Sequence, residues 1–164
     1  MDPLQIGREP LVSLADMIQR RVRQSPNELA YEVRTQTGWT ALSWREFGHQ
    51  CDSIAERLIR LGIQKGDRCG ILVSTRVEWI AIDFGILCAG GASTTIYQSA
   101  TSEDCWYILH DAKVRVCFVE NSTQLQKVLD VWERLPELEH IVLVEGSSPI
   151  QHVHAYSEWT DAVP

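Results

Sequence analysis

An alternation of short apolar runs and helical patterns constrains the fold of this sequence more than any other feature. Four runs are predicted as β-strands: CGILV (69–73), STTIY (93–97), VRVCFV (114–119) and IVLV (141–144). Helical patterns lie between them, at about 76–89, from Thr101 or Ser102 to about 111, and around 125–132. Connections this short join parallel strands through right-handed crossovers. The sequence therefore predicts an α/β fold with a mostly parallel sheet flanked by helices.

The first third of the chain carries a different pattern. Apolar residues recur at helical spacing over residues 11–22, and a Ser-Pro step at 25–26 ends that helix. The runs AYEVR (30–34) and WTAL (39–42) flank a turn that contains Gly38, which is typical of a β-hairpin. We therefore expect a helix and a β-hairpin ahead of the sheet.

The best-specified helix begins with a capping box. The Ser43 hydroxyl can accept a hydrogen bond from a backbone amide of the first turn, and the Glu46 carboxylate can accept one from the Ser43 amide. An apolar stripe follows over residues 44–58, and Gly62 supplies a left-handed C-terminal stop.

These patterns divide the chain into three parts. We expect an N-terminal tail at 1–10, one domain at 11–146 and a second tail at 147–164 that shows no confident element. Within the domain, residues 11–62 form the helix and hairpin region, and residues 66–146 form the βαβ layers. The sequence contains no internal repeat, low-complexity tract or linker.

Composition indicates a soluble globular protein. The 164 residues are 45% hydrophobic and 23% charged, with a net charge of −7 and no basic stripe, which argues against nucleic acid as a partner. The start shows no secretory signal, and the most apolar window, 79–92, is shorter than the roughly twenty residues that a membrane helix needs. We expect a cytoplasmic protein without a transmembrane segment and leave peripheral membrane contact open.

Cysteine usage agrees with an intracellular location. The five cysteines contain no C-x-x-C pair and are predicted to be reduced and mostly buried: Cys51, Cys69, Cys88, Cys105 and Cys117. The sequon at Asn121 carries no meaning without a secretory signal.

The run GILCAGGAS (85–93) resembles a damaged phosphate-binding loop. Gly85 and Gly90 have the required spacing, but Gly91 replaces the lysine. Because the glycine pair falls at the end of a predicted helix, where carbonyl oxygens would repel a phosphate, we interpret it as a helix stop.

The turn after the first sheet strand is the one place that could hold a nucleotide. It has no glycine, so the G-x-G-x-x-G fingerprint is absent. Ser74, Thr75 and Arg76 could contact an anion there. The interpretation we favour is that Ser74 or Thr75 caps the following helix and Arg76 is solvated.

Two further groups of residues could carry chemistry. His140, His152 and His154 could be imagined as a metal site, but they lack an acidic or cysteine partner, so solvated or hydrogen-bonded histidines are the expected alternative. Asp83 lies in an apolar helix and needs a partner, either at an interface or, as we favour, in a neighbouring loop or cation.

The order of several short motifs resembles the N-terminal portion of the adenylate-forming synthetases, specifically the long-chain fatty acyl-CoA synthetases. The resemblance covers about residues 11–146. Its central motifs are Leu61-Gly62, Gly66-Asp67-Arg68, Arg76-x-Glu78-Trp79, Ala89-Gly90-Gly91-Ala92, Ile96-Tyr97, Thr101-Ser102 and Tyr107-Ile108-Leu109. The earlier run YEVRTQTGWTALSWREF resembles the hairpin and first long helix of that family.

The resemblance implies a partial N-terminal subdomain of an enzyme that joins a fatty acid to ATP and then passes the acyl group to coenzyme A, with Mg²⁺ offsetting phosphate charge. The Ser/Thr/Gly-rich loop followed by Pro-Lys-Gly, the acidic adenosine-binding motif and the catalytic lysine of the family are absent from these 164 residues. We therefore assign no catalytic, cofactor-binding or metal-binding residue, and we expect no cofactor to bind this chain.

Three hypotheses follow. The first is an N-terminal piece of a long-chain fatty acid–CoA ligase that is inactive alone, with the 147–164 tail leading into the missing remainder. The second is a stand-alone acyl-binding or dimerisation module. The third, ranked last, is an unrelated flavodoxin-like protein. Because a sheet cut from a larger one keeps an open edge, we also expect self-association.

Overall fold

The computed structural model describes residues 10–35 and 38–160. The expected tail at 1–10 therefore lies outside the described residues except for Pro10, as do residues 161–164.

The elements follow the predicted order. The helices are α1 (Leu14–Gln24), α2 (Trp44–Arg60), α3 (Val77–Cys88), α4 (Ser102–Asp111) and α5 (Ser122–Leu129). The strands are β1 (Leu29–Thr35), β2 (Gly38–Ser43), β3 (Arg68–Leu72), β4 (Ala92–Thr95), β5 (Val114–Val119), β6 (His140–Leu143) and β7 (Val153–Ala155). Short 3₁₀ turns occupy Trp132–Arg134 and Tyr156–Glu158.

The seven strands form two sheets. β1 and β2 pair as an antiparallel hairpin, whereas the other five form a parallel sheet in the order β4-β3-β5-β6-β7. This arrangement confirms the predicted α/β class, with a mostly parallel sheet preceded by a helix and a hairpin.

Side-chain alternation along the central strands builds a core on each face of the sheet. Ile71 and Phe118 point toward the layer of α1, α2 and α3, whereas Leu72 and Val119 point toward α4 and α5. All four side chains are fully buried. Strands covered on both faces carry the continuous apolar runs that the sequence shows.

Strand β7 lies in the tail for which the sequence predicted no confident element, and that prediction was wrong. β7 has only three residues, too few to show a period, and polar residues surround it. It exists because it pairs with β6, aligning Ile141 with Val153 and Leu143 with Ala155. Such a strand is created by long-range pairing rather than by local propensity.

The capping predictions for α2 and α4 are confirmed. Ser43 Oγ accepts from the Glu46 amide, and the Glu46 carboxylate accepts from the Ser43 amide at 2.7 Å. Gly62 follows α2 with a φ of +83°, the left-handed conformation that glycine tolerates. At α4 the cap is Thr101, which forms a second capping box with Asp104.

The glycine-rich run 85–93 is a helix end, as predicted. Gly90 has a φ of +84°, and the amides of Gly90 and Gly91 donate to the carbonyl oxygens of Leu87 and Ile86. Gly85 has a separate role within α3. A Cβ atom there would lie 2.6 Å from Cγ2 of Ile54, so glycine is what lets α3 approach α2 this closely.

All five cysteines are free, and four of them are buried, which agrees with their predicted state; Cys88 is half-buried. Across the described ranges 10–35 and 38–160, no helix has both the length and the apolarity needed to cross a membrane.

Candidate functional site

The strand order defines one crevice where an α/β protein of this type would hold a ligand. β3 lies between β4 and β5, and the core contacts of α3 and of α4 lie on opposite faces of the sheet. The carboxyl ends of β3 and β5 therefore form a topological switch point, at which ligands of open α/β sheets bind.

Glu120, the residue after β5, fills this crevice. Its Oε2 accepts a hydrogen bond from the backbone amide of Ser74 at 2.6 Å, and the side-chain amide of Gln98 donates to the same oxygen. Lys127 Nζ donates to the Gln98 carbonyl at 2.6 Å and ties α5 to the loop after β4. A carboxylate of the chain itself thus takes the place where a bound anion would meet a backbone amide.

Arg76 completes the cluster. Its guanidinium binds both oxygens of Glu78, at 2.7 and 2.9 Å, and also donates to Glu145, which follows β6. The nearer Glu120 oxygen is 3.9 Å from Arg76 Nη1. Arg76 is the N-cap residue of α3, and no side chain caps this helix. The predicted cap from Ser74 or Thr75 and the predicted solvated arginine were therefore both wrong, since Arg76 is held between carboxylates.

The pKa shifts follow from these contacts. Partial burial disfavours the Glu78 and Glu120 carboxylates, but their hydrogen bonds and the charge of Arg76 outweigh it and hold both pKa values below the ordinary value. The hydrogen bond to Glu78 is the main reason that the pKa of Arg76 is raised. All three groups are charged at neutral pH.

The crevice is therefore poorly suited to a nucleotide phosphate. Two donors at the strand ends, the Ser74 amide and the Gln98 side chain, already bind Glu120. The Arg76 guanidinium is surrounded by three carboxylates. A phosphate would have to displace Glu120 and would then face Glu78 and Glu145, an arrangement of like charges that costs free energy.

Metal binding finds no better support. Within 10–35 and 38–160 no three His, Cys, Asp or Glu side chains are placed to share an ion. The structure separates the three candidate histidines: Nε2 of His154 lies 3.1 Å from Nδ1 of His140, whereas His152 stacks on Trp132 with ring centroids 5.6 Å apart. The residues present do not fit the Mg²⁺ that the resemblance implies.

Asp83 has an internal partner, as we favoured over an interface role. The Ser93 hydroxyl donates to Asp83 Oδ1 at 2.5 Å and joins α3 to β4. The partner differs from the expected loop or cation, because the helix carboxylate faces the neighbouring strand.

The volumes and linings of two cavities indicate how well this chain could enclose a fatty acid. A wholly apolar cavity beside Trp132 and Ile150 measures about 60 Å³, well below the roughly 300 Å³ at which ligand pockets begin. The cavity beneath the hairpin measures about 420 Å³, but Glu46, Gln50 and Glu78 line it together with apolar side chains. Neither cavity offers a long acyl chain a dry, apolar enclosure.

The sequence pointed to Ser74 and Arg76 but missed Glu120, Gln98 and Glu145. Glu120 and Glu145 each stand just past the carboxyl end of a predicted strand, and that position was the available signal. In a parallel sheet such residues converge on one edge.

The fold defines the class as an α/β protein with a parallel sheet flanked by helices. Comparison with known families gives the family within that class. The family model described as "AMP-binding enzyme" matches residues 18–163, and the chain belongs to that family.

The relatives in that family include long-chain-fatty-acid–CoA ligases. The chain is 30% identical over 147 residues to FadD15 of Mycobacterium bovis, covering 90% of this chain and 24% of the relative. It is 31% identical over 133 residues to ACSBG2 of Xenopus laevis, covering 81% of this chain and 18% of the relative. The chain thus spans about a quarter or less of the length of these curated relatives, and the resemblance seen in the motifs is confirmed.

Solved structures support the same fold. The anthranilate CoA ligase AuaEII, in complex with anthranoyl-AMP, matches with a TM-score of 0.77 and 25% identity, over 93% of this chain and 28% of that one. The long-chain-fatty-acid-CoA ligase FadD1 of Archaeoglobus fulgidus matches with a TM-score of 0.78 and 19% identity, over 93% of this chain and 30% of that one.

Proposed function

We propose that this chain is the N-terminal scaffold portion of a long-chain fatty acid–CoA ligase and has no ligase activity by itself. In the complete enzyme a fatty acid and ATP form an acyl-adenylate and pyrophosphate, and the thiol of coenzyme A then displaces AMP. ATP, Mg²⁺ and coenzyme A would be bound by the rest of such an enzyme. We place it in the cytoplasm and propose that its domain extends past the expected boundary at residue 146, because β7 completes the parallel sheet.

The state of the crevice is the observation that carries this proposal. The Ser74 amide, the Gln98 side chain and the Arg76 guanidinium at the carboxyl edge of the sheet already bind carboxylates of the chain itself, so these three donors are not free to grip a triphosphate. The missing Pro-Lys-Gly loop and the small share of the relatives that the chain spans support the same conclusion.

The direct test is pyrophosphate release by the purified 164-residue chain with ATP, Mg²⁺, coenzyme A and palmitate. A full-length relative, such as the M. bovis ligase, serves as the positive control in the same buffer. We expect no release above the protein-free background. Pyrophosphate release that depends on both ATP and palmitate would overturn the proposal.

A genomic observation tests the scaffold role separately. We expect the coding sequence after the Pro164 codon to contain, in the same or a shifted frame, the Ser/Thr/Gly-rich loop and Pro-Lys-Gly. Its absence together with expression of the short chain would favour the stand-alone module.

One observation favours that second candidate in its dimerisation form. Among the described residues, β4 is an edge strand of the sheet and pairs with β3 alone, and Thr95 at its end is exposed. Exposed edges can pair with another chain. The acyl-binding form is less well supported, because the apolar cavity beside Trp132 is small and the larger cavity beneath the hairpin is lined in part by Glu46 and Glu78.

A further inference from the structure

His140 and His154 contact each other at a place separate from the candidate ligand crevice. His140 begins β6 and His154 lies at the centre of β7, and their Nδ1 and Nε2 atoms are 3.1 Å apart. At this distance one imidazole nitrogen must donate and the other must accept. The pair can keep this bond with no added proton or with one, but two imidazolium rings have only donors and repel each other.

The pair lies where the last strand joins the sheet. β7 has three residues and, within the part of the chain that the structure describes, pairs with β6 alone. The chain then turns to Trp159, which is 5% exposed and packs against Phe118 and His154, with ring centroids 5.6 and 6.0 Å away. So short an edge strand has few backbone hydrogen bonds, so its attachment depends on side-chain contacts, which include the buried Tyr156 and Trp159 as well as the histidine pair.

The charges around the pair do not favour a second proton. Glu139 and Arg115 lie at the amino end of the sheet and oppose each other, and they already form an ion pair at 2.8 Å. His152 adds positive charge when it is protonated. From α2, the groups that share the surface of Trp159 are Glu56, Arg57 and Arg60, and Arg57 donates to the carbonyl of Glu158 at 2.8 Å.

We propose that His140 and His154 form a pH-sensitive switch that holds the β7 segment (residues 153–160) against β6 until both imidazoles are protonated. Release uncovers the edge of β6 and the buried face of Trp159. The switch concerns the end of the sheet farthest from the β4 edge, so it stands apart from the proposed scaffold role.

Electrostatics gives the direction. Burial, and then the proximity of His154, lower the pKa of His140 from its ordinary value of 6.5. His140 therefore binds a proton less readily while the β7 segment is in place than after that segment is released. Binding of the second proton is linked to release, so the β7 segment loses stability as the pH falls below about 6.5 and regains it as the pH rises.

Hydrogen exchange measured by NMR tests this on the full 164-residue chain between about pH 7.5 and pH 5.5. After correction for intrinsic exchange rates, we expect the paired amides of β6 and β7 to lose protection severalfold as the pH falls, in the direction set by the lowered pKa of His140. Amides of the central strand β5 should keep theirs. Equal loss in β5 and β7 would show global acid unfolding and overturn the proposal, as would no loss in β7.

Variants show whether the pH response of β7 depends on the His140–His154 pair or on any histidine of the chain. His154→Gln keeps a hydrogen-bonding side chain but cannot take a proton, so a second imidazolium cannot form and β7 should lose less protection on acidification than in the wild type. His140→Gln should behave likewise and serves if the first variant does not fold. His152→Gln, which removes a histidine two positions away that stacks on Trp132, should keep the wild-type response. A wild-type response in both pair variants, or its loss in His152→Gln, would contradict the switch.

Discussion

The backbone amide of Ser74 donates to Oε2 of Glu120 at 2.6 Å, across 46 residues of sequence. This bond joins the carboxyl ends of β3 and β5 at the point where an α/β sheet would otherwise open to a ligand. Glu120 therefore takes the place of a bound anion, and its removal should lower the free energy of unfolding.

Glu120→Gln keeps an oxygen acceptor but removes the charge that strengthens the bonds from Ser74 and Gln98. We expect a loss of about 1–2 kcal/mol in the free energy of unfolding, measured by urea denaturation. Glu145→Gln is the matched control, because Glu145 also binds Arg76 but its side chain is 50% exposed, and its effect should stay within about 0.5 kcal/mol. Equal effects would contradict the assigned role of Glu120.

The same substitution has a defined pH dependence. The pKa of Glu120 is lower in the folded protein than its ordinary value of 4.5, so its contribution to stability is complete above that value and is lost as the pH falls through the folded pKa. The stability difference between the wild type and Glu120→Gln should therefore be constant at neutral pH and shrink below about pH 4.5. A difference that grows on acidification would contradict this.

Arg115 joins three segments at the opposite end of the sheet. Its guanidinium lies 2.8 Å from both Asp67 and Glu139 and donates to the Gly62 carbonyl at 2.9 Å. Arg115→Met should cost about 1–2 kcal/mol in the free energy of unfolding, measured by urea denaturation at low salt. Arg60→Met, which breaks the exposed pair with Glu56, should cost no more than about 0.5 kcal/mol. Similar costs for the two variants would show that Arg115 is an ordinary surface cation.

The close contact between α2 and α3 depends on the absence of a side chain at Gly85. Gly85→Ala would place a Cβ atom 2.6 Å from Ile54 Cγ2 and 3.2 Å from the Cys51 carbonyl oxygen. Although alanine favours helix, we expect a net destabilisation of about 1–3 kcal/mol from overpacking, read from thermal or urea unfolding. His49→Ala on the exposed face of α2 is the control and should be nearly neutral. An increase in stability for Gly85→Ala would disprove the close approach.

Self-association through the β4 edge can be tested with one charge. Thr95→Lys places a cation on the exposed end of this strand and should shift the light-scattering mass toward the monomer. Gln151→Lys adds the same charge in an exposed turn away from the edge and should leave the mass unchanged. If the wild type is already monomeric at high concentration, or both variants dissociate it equally, the edge is not the contact.

The sequence predicted those features that depend on neighbours in the chain. The Ser43 capping box, the Gly62 stop and the four apolar runs are local signals, and each appears in the structure. The crevice could not be predicted in the same way. Glu120 meets Ser74 and Gln98 only because three strand ends converge, with separations of 46 and 22 residues. The pairing of His140 with His154 likewise required β7, whose three residues carry no period.

Two glycines set the spacing of the helical layer that covers one face of the sheet. A Cβ atom on Gly48 would lie 2.7 Å from Val22 Cγ2, as one on Gly85 would from Ile54, so α1, α2 and α3 meet backbone against side chain at both contacts. A larger residue at either glycine is tolerable only if the opposing side chain becomes smaller. In related sequences, positions 22 and 48, and positions 54 and 85, should therefore covary. Alanine or serine in place of the glycine should be accompanied by a smaller side chain across the contact.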